Sequence, residues 1–373
     1  MKAGITLGGL IVHEWIARSG GSENVLQAMS ETFPASDIYC LWNDAPQRFS
    51  GRPVRESLLA KTPLRKSKAT ALPFMPAVWR SVSLESYDWT LVSSHLFAHH
   101  VGKAKNRGHA KIFAYVHTPA RYIWVPELDK RGESAATRLI SPLFQKLDRK
   151  RASEGTVFAA NSNFIRQRIQ DTWQQDAIVI YPPVAVTRLQ SHHDWSTVLS
   201  DSESTILSAL PEEYILGASR FVEYKQLESV ITAGESANLP VVLAGAGPAE
   251  DFLRKMAQEA SVPVHFVISP SDALLYALIQ QAQVFVFPPV EDFGILPVES
   301  MALGTPVVVN AVGGAVESVS ALEGGAAVAR FHGREIAEAI HAASGKDMNK
   351  AKSRAQIFSE ESFSRNLQNW MKV

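Results

Sequence analysis

The stretch VFVFPPVEDFGILPVESMALGTPVVVN, residues 284–310, reads as strand, loop, helix and strand. VFVF is apolar throughout, the pattern of a strand buried on both faces of a parallel sheet. The double proline that follows ends it, because proline cannot donate to a ladder. Pro297 falls in the first turn of a helix, where its missing N–H costs nothing, and Gly304 stops that helix before PVVVN. Two parallel strands joined by a helix make one step of a doubly wound sheet, whose ligands gather at the C-terminal strand ends. This reading puts Glu291 on the strand-to-helix loop and Glu299 in the first helical turn. The amides of Phe293, Gly294, Ile295 and Leu296 lie near the helix start, where unpaired donors make an anion site. A phosphate held there would have a carboxylate on either side, each able to accept sugar hydroxyls. A plainer account also fits: Glu299 complements the helix dipole and Glu291 is solvated.

The same alternation runs along the chain. AGITLGGLIV, WTLVSS, KIFAYVH, TVFAANS and IVIYPPV form one set of strand candidates; YILGAS, PVVLAGAG, VHFVIS, VFVFPP and PVVVNAV form another. Helical patterns such as SENVLQAMSETF and AEDFLRKMAQEA lie between them. With 373 residues, two ordinary domains are expected. The first covers 1–183 and the second 184–355. The polar stretch RLQSHHDWSTVLSDSEST between the strand sets reads as a linker or surface insertion. The final helix, 356–373, carries Phe363, Leu367, Trp370 and Met371 on one face and is expected to pack back on the first domain. The fold class is therefore α/β, two doubly wound domains in tandem.

Apolar residues make up 46% and charged residues 20%, as in a soluble globular protein. The lone Cys40 excludes an intramolecular disulfide and suits a reducing cytoplasm. No apolar run reaches the roughly 18 residues of a membrane span. The start, MKAGITLGGLIVHEWI, imitates a signal peptide, but His13 and Glu14 interrupt it, and it reads as a buried strand. Residues 1–183 hold 24 Lys and Arg against 15 Asp and Glu, and residues 184–373 hold 13 against 22, a dipole of +9 and −9. The positive half would suit an anionic partner.

Other segments add candidate sites. In GASRFVEYK, 217–225, Arg220 and Lys225 follow a strand, a fork and a point charge suited to a diphosphate or simply a surface pair. In RSGGSENVLQAM, Gly20 and Gly21 join the first strand to a helix, with Ser22 as the expected N-cap. Gly245 opens GAGPAE, a tight turn that lacks the dinucleotide spacing of glycines. His117 ends the strand of YVHTPARYIW; a lone histidine is more often a satisfied structural residue, but its place at a strand end favours a side chain pointing into a ligand crevice. His95, His99 and His100 have no acidic or Cys partner at metal-ligand spacing, so no metal site is expected. Between Arg48 and Lys68 seven cations face one Glu, and Phe74, Met75, Val78 and Trp79 follow. Residues 48–80 thus have the composition of a segment lying on an anionic membrane, or of a solvated loop beside a core helix. No nucleic-acid motif accompanies the charge.

Together these pieces resemble the retaining glycosyltransferases of family 4, with the GT-B fold of two Rossmann-like domains. EDFGILPVE looks like the family's E-x7-E element and GASRFVEYK like its diphosphate segment. IYPPV, GAGP and VGGAVE are similar to its loop signatures. VHEW and HTPARYIW resemble the bacterial subset of surface-polysaccharide mannosyltransferases. The resemblance implies that Arg220 and Lys225 hold the donor diphosphate, Glu291 the donor sugar and Glu299 the ribose. It implies Gly21 against the phosphates, His117 against the sugar or nascent bond, and Gly314 and Glu317 shaping the pocket. The donor would be a nucleotide-diphosphate sugar, GDP-mannose foremost, used without a metal and passed to a lipid-linked or saccharide acceptor. Three features depart from the pattern: Glu14 in place of Asp, no glycine near Ser269, and the insertion 188–212. An epimerase of the same fold and a non-catalytic sugar-nucleotide binder are the alternatives.

Overall fold

The computed structural model describes residues 8–102, 108–126 and 135–372. Residues 3–7 of the first strand candidate lie outside them. The chain forms two units, 1–183 with 363–373, and 184–362. The return to the first unit comes at Phe363 rather than at 356; residues 355–358 belong with the second unit, where Phe358 packs on Phe293.

In the first unit seven strands form one parallel sheet: β1 (Gly8–His13), β2 (Asp37–Cys40), β3 (Val54–Glu56), β4 (Tyr87–Ser94), β5 (Lys111–Val116), β6 (Val157–Ala160) and β7 (Ala177–Val179). Their order is β3-β2-β1-β4-β5-β6-β7, so the winding reverses between β1 and β4. Side chains alternate between two apolar layers, as strands covered on both faces require. Leu10, Val12, Val92, Ala114 and Val116 enter one core, and Ile11, Leu91, Phe113 and Tyr115 the other. The second layer is closed by the helix Gly21–Thr32 and by Phe363, Leu367 and Met371 of the terminal helix Glu360–Met371. Each such fully buried side chain contributes about 1.5–3 kcal/mol.

The second unit repeats the plan with β8 (Ile215–Ala218), β9 (Val241–Gly245), β10 (Val264–Ile268), β11 (Val284–Phe287), β12 (Val307–Asn310) and β13 (Gly325–Val328). The order β10-β9-β8-β11-β12-β13 reverses between β8 and β11. Of the two readings of the polar stretch, linker or surface insertion, the second fits: it is folded onto this unit. A capping box of Ser200 and Glu203 starts the helix Asp201–Ser208. Trp195 is buried, its indole N–H donating to the Leu189 carbonyl at 2.9 Å and its ring edge-on to Tyr276. Ser269, where the resemblance leads one to expect glycine nearby, adopts φ +49°, the left-handed conformation that glycine takes without strain.

Candidate functional site

The second unit gathers its candidate residues at the ends of adjacent strands. The loop after β8 carries Arg220 and Lys225, and the loop after β11 carries Glu291. Lys225 Nζ donates to Glu291 Oε1, a contact that spans the β8/β11 switch point. Both side chains are largely buried. Arg220 is exposed beside them and donates from Nη2 to the Tyr224 hydroxyl at 2.5 Å. The Gly314 amide donates to the Glu291 carbonyl at 2.8 Å, which ties the loop after β12 to the same place. Gly314 has to be glycine: a Cβ there would lie 2.1 Å from the Asp292 carbonyl oxygen. Gly245 meets the same limit at the end of β9, where a Cβ would lie 1.8 Å from the Ser219 oxygen. Four neighbouring strands thus deliver two cations, one carboxylate and closely packed backbone to one edge of the sheet. An open α/β sheet binds ligands at this edge.

The helix after this loop is Ile295–Leu303, capped by Gly294 at φ +87° and ended by Gly304 at φ +100°. Its first two residues, Ile295 and Leu296, have amides without intrahelical partners, as at any helix start; Pro297 has none to offer. Phe293 is buried. Glu299 lies beyond the first turn, not within it as expected, so dipole complementation does not account for it. Burial, with Asp272 nearby, pushes its carboxyl up to about 7, against the pull of Arg188. A carboxyl held near neutrality beside the loops of a switch point is a functional candidate.

In the first unit, Gly20 rather than Ser22 caps the helix Gly21–Thr32. Ser22 Oγ instead donates to Glu23 Oε2 at 2.8 Å, and Glu23 turns back to accept the Ala17 amide at 3.1 Å. His117 follows β5 directly, with its Nε2 2.8 Å from Ser93 Oγ on β4. Glu14 is fully buried and accepts the amides of Leu96 at 2.8 Å and Ala98 at 2.9 Å. Burial pushes its carboxyl up to about 7 even against those amides.

Sequence spacing does not reveal an acidic partner for His99 and His100, but the fold supplies Asp148. All three are buried, with candidate ligand atoms within 4.8 Å of one another. The hydrogen bonds describe a satisfied carboxylate. Its Oδ2 accepts the indoles of Trp124 and Trp173, each at 2.7 Å, and its Oδ1 lies 2.7 Å from His100 Nε2 and 3.0 Å from His99 Nε2. Cys40 is buried and free of any disulfide, as expected.

The segment 48–80 is less free for membrane contact than its composition implies. Met75 and Trp79 are buried in the core, which leaves Phe74 and Leu58 as its large exposed apolar side chains. Arg52 donates to the carbonyls of Ser30, Phe33 and Ser36, and Arg65 pairs with Asp44. Lys61 and Lys66 are exposed. No helix among the described residues is long and apolar enough to cross a membrane.

Comparison with known proteins bears on both units. Residues 19–188 match the family described as Glycosyltransferase Family 4, and residues 202–357 the family described as Glycosyl transferases group 1. An uncharacterized glycosyltransferase of Methanocaldococcus jannaschii is 37% identical over 115 residues, 29% of this chain and 30% of that protein. O-antigen chain mannosyltransferase C of Escherichia coli is 28% identical over 176 residues, 46% of each protein. The chain thus spans less than half the length of either relative. Among solved structures, HepE of Anabaena in complex with UDP superposes with TM-score 0.71 at 16% identity, over 98% of this chain and 99% of that one. That likeness is one of fold. The two family matches follow each other along the chain in the order of its two sheets, and the chain belongs to the glycosyltransferases of family 4, with the GT-B fold.

Proposed function

We propose that the protein is a retaining glycosyltransferase that moves a sugar, mannose foremost, from a nucleotide-diphosphate donor to a lipid-linked or saccharide acceptor. The observation that carries this reading is the Lys225–Glu291 contact across the β8/β11 switch point, with Arg220 beside it. A departing diphosphate gains negative charge as the glycosidic bond breaks, and fixed cations already in place stabilise that charge without reorganising. Glu291, held by Lys225, accepts hydroxyls of the donor sugar in this reading. Glu299 serves the ribose and His117 the sugar. The acceptor hydroxyl attacks from the face the nucleotide leaves and passes its proton to the leaving phosphate. The transition state is oxocarbenium-like, as in glycoside hydrolysis. Configuration is retained with no protein nucleophile and no metal.

The E. coli relative, named a mannosyltransferase, supports mannose, and HepE, solved with UDP, supports a nucleotide donor. Thermal-shift measurements with GDP-mannose, UDP-glucose and dTDP-sugars test the donor, because a ligand that binds the native state raises its stability. GDP-mannose is expected to give the largest shift, about 2.7 kcal/mol of stabilisation at a hundred times its Kd. A larger shift with UDP-glucose overturns the mannose assignment, and none with any nucleotide sugar overturns the donor reading.

For a lipid-linked acceptor, the cytoplasmic membrane face is the proposed place of work, with Leu58, Lys61, Lys66 and Phe74 touching anionic lipid. Vesicles of phosphatidylglycerol and phosphatidylcholine should pellet the protein, and Lys61→Glu with Lys66→Glu should release it, more so as salt rises. Pelleting indifferent to both changes removes the membrane contact.

A further inference from the structure

The winding of the first sheet reverses between β1 and β4, and three side chains join across that point. His13 ends β1 and is in register with Ser93 of β4. His117 follows β5, its amide bonded to the Ser94 carbonyl at 2.8 Å. His13 Nδ1 lies 3.0 Å from Ser93 Oγ, and Ser93 Oγ lies 2.8 Å from His117 Nε2. One hydroxyl links two imidazoles in a chain.

A hydroxyl has one proton to give. Its two lone pairs could accept from both rings, but among the described residues Ser93 Oγ has no partner besides those rings, and double acceptance would leave its own proton orphaned. Ser93 therefore donates to one ring and accepts from the other, and the chain runs in one of two directions. If His117 donates from Nε2, Ser93 donates to His13 Nδ1, and the His13 proton sits on Nε2. That nitrogen is buried without a hydrogen-bond partner. An orphaned N–H inside a protein costs about 1–3 kcal/mol, and buried N–H groups are left orphaned more rarely than acceptors are. The His95 ring, 5.6 Å from that of His13 between centroids, offers only a second-order N–H···π contact. In the other direction His13 donates from Nδ1, Ser93 donates to His117 Nε2, and the unpartnered atom is a lone pair.

We infer that His13 and Ser93 are positioning residues that hold His117 in its neutral Nδ1–H tautomer, so that it presents a hydrogen-bond donor to a substrate oxygen. His117 then cannot serve as a general base for the acceptor, whose proton has to leave by another path. Burial supports a neutral chain: it lowers both imidazoles to about 3, helped at His13 by Arg48 and at His117 by His13 itself. The other titratable groups around the rings are His95 and Tyr115, with Glu14 next to His13 in the chain. The inference rests on the reading of His117 as a group that meets substrate.

The test uses the full chain labelled with 15N-histidine, read by two-bond proton–nitrogen correlation at neutral pH. His117→Gln and His13→Gln identify the two signals. Both rings are expected as Nδ1–H. Ser93→Ala is expected to move His117 to the Nε2–H form and to lower kcat about 100-fold with KM nearly unchanged, the scale of a misplaced or mistautomerised imidazole. Ser93→Thr keeps the hydroxyl and should restore both the signal and turnover. An Nε2–H signature for His117 in the unaltered protein overturns the inference, as does a Ser93→Ala spectrum identical to it. Failure of the underlying reading has a separate mark: His117→Ala would turn over normally while the tautomer pattern stands.

Discussion

Arg220→Ala and Lys225→Ala are each expected to lower turnover by about 100- to 1000-fold, or about 2.7–4 kcal/mol of transition-state stabilisation. In the proposed mechanism the negative charge on the leaving diphosphate grows as the bond breaks, so the loss should fall on kcat more than on KM. The two variants should differ in kind. Arg220 is exposed and bonded to Tyr224, so its removal should leave the melting temperature unchanged. Arg220→Lys keeps the charge without the planar fork and should recover only part of the rate. Lys225 also holds Glu291, so Lys225→Ala loses a cation and leaves a largely buried carboxylate without that partner. Its loss should be the larger. The double variant should fall short of the product of the two, because both act on one group. Steady-state kinetics with the donor found by thermal shift decide the matter. Near-normal turnover in either single variant would remove the electrostatic account.

How much can be read in advance follows from what a linear pattern encodes. The strands of the sheet centres are legible because burial on both faces demands unbroken apolar runs, as in VFVF and KIFAYV. Three strands are not. β2, DIYC, alternates between partly and fully buried positions, β3 is an edge strand with two exposed residues, and β13 is built largely of glycine and alanine. None presents a long apolar run. The capping box Ser200-x-x-Glu203 is visible in the sequence, but the surrounding polar residues outweigh it. Pro297 suggests a helix that starts at its own position, and so a first-turn place for Glu299, whereas the left-handed Gly294 sets the boundary earlier, at Ile295. Arg220, Lys225 and Glu291 can be named from their strand ends. Their pairing cannot, because strand order, not sequence, brings positions 225 and 291 together. His13 and Ser93 give no signal at all, for a single histidine and a single serine acquire meaning only when β1 and β4 lie side by side.

The same blindness hides Asp148, and the largest stability effect is expected there. Removing one partner from a buried, paired charge typically costs about 3–5 kcal/mol, because the remaining groups stay buried without a partner. Asp148→Ala would strand two indole N–H groups and the His100 imidazole at once, while His99 keeps Ser94. Asp148→Asn should cost less, since its amide oxygen can still accept both indoles while its nitrogen faces neutral His100. The pH dependence follows from the shifts. Burial, with His99 beside it, lowers His100 to about 4 despite Asp148, against 6.5 when unfolded. The unfolded chain therefore takes up a proton that the folded one refuses between pH 6.5 and 4, and stability falls as the pH drops through that window. His13 and His117, lowered to about 3, extend the decline. Asp148 is buried too, yet His99 and His100 hold its carboxyl far below the usual range, so its contribution is fully present above the unfolded value and is lost only in stronger acid. Glu14 and Glu299, raised from 4.5 to about 7, act in the opposite sense, because the folded chain keeps protons there that the unfolded chain has lost. Thermal melts from about pH 8 to 4 should therefore show a shallow maximum near the unfolded histidine value, falling gently above it and further in acid. A chelator should leave the melt unchanged if Asp148 is a hydrogen-bond hub, and lower it if His99, His100 and Asp148 hold a metal. Asp148→Ala melting with the unaltered protein would show that the indoles and the His100 imidazole find other partners, and that the carboxylate does not hold this layer together.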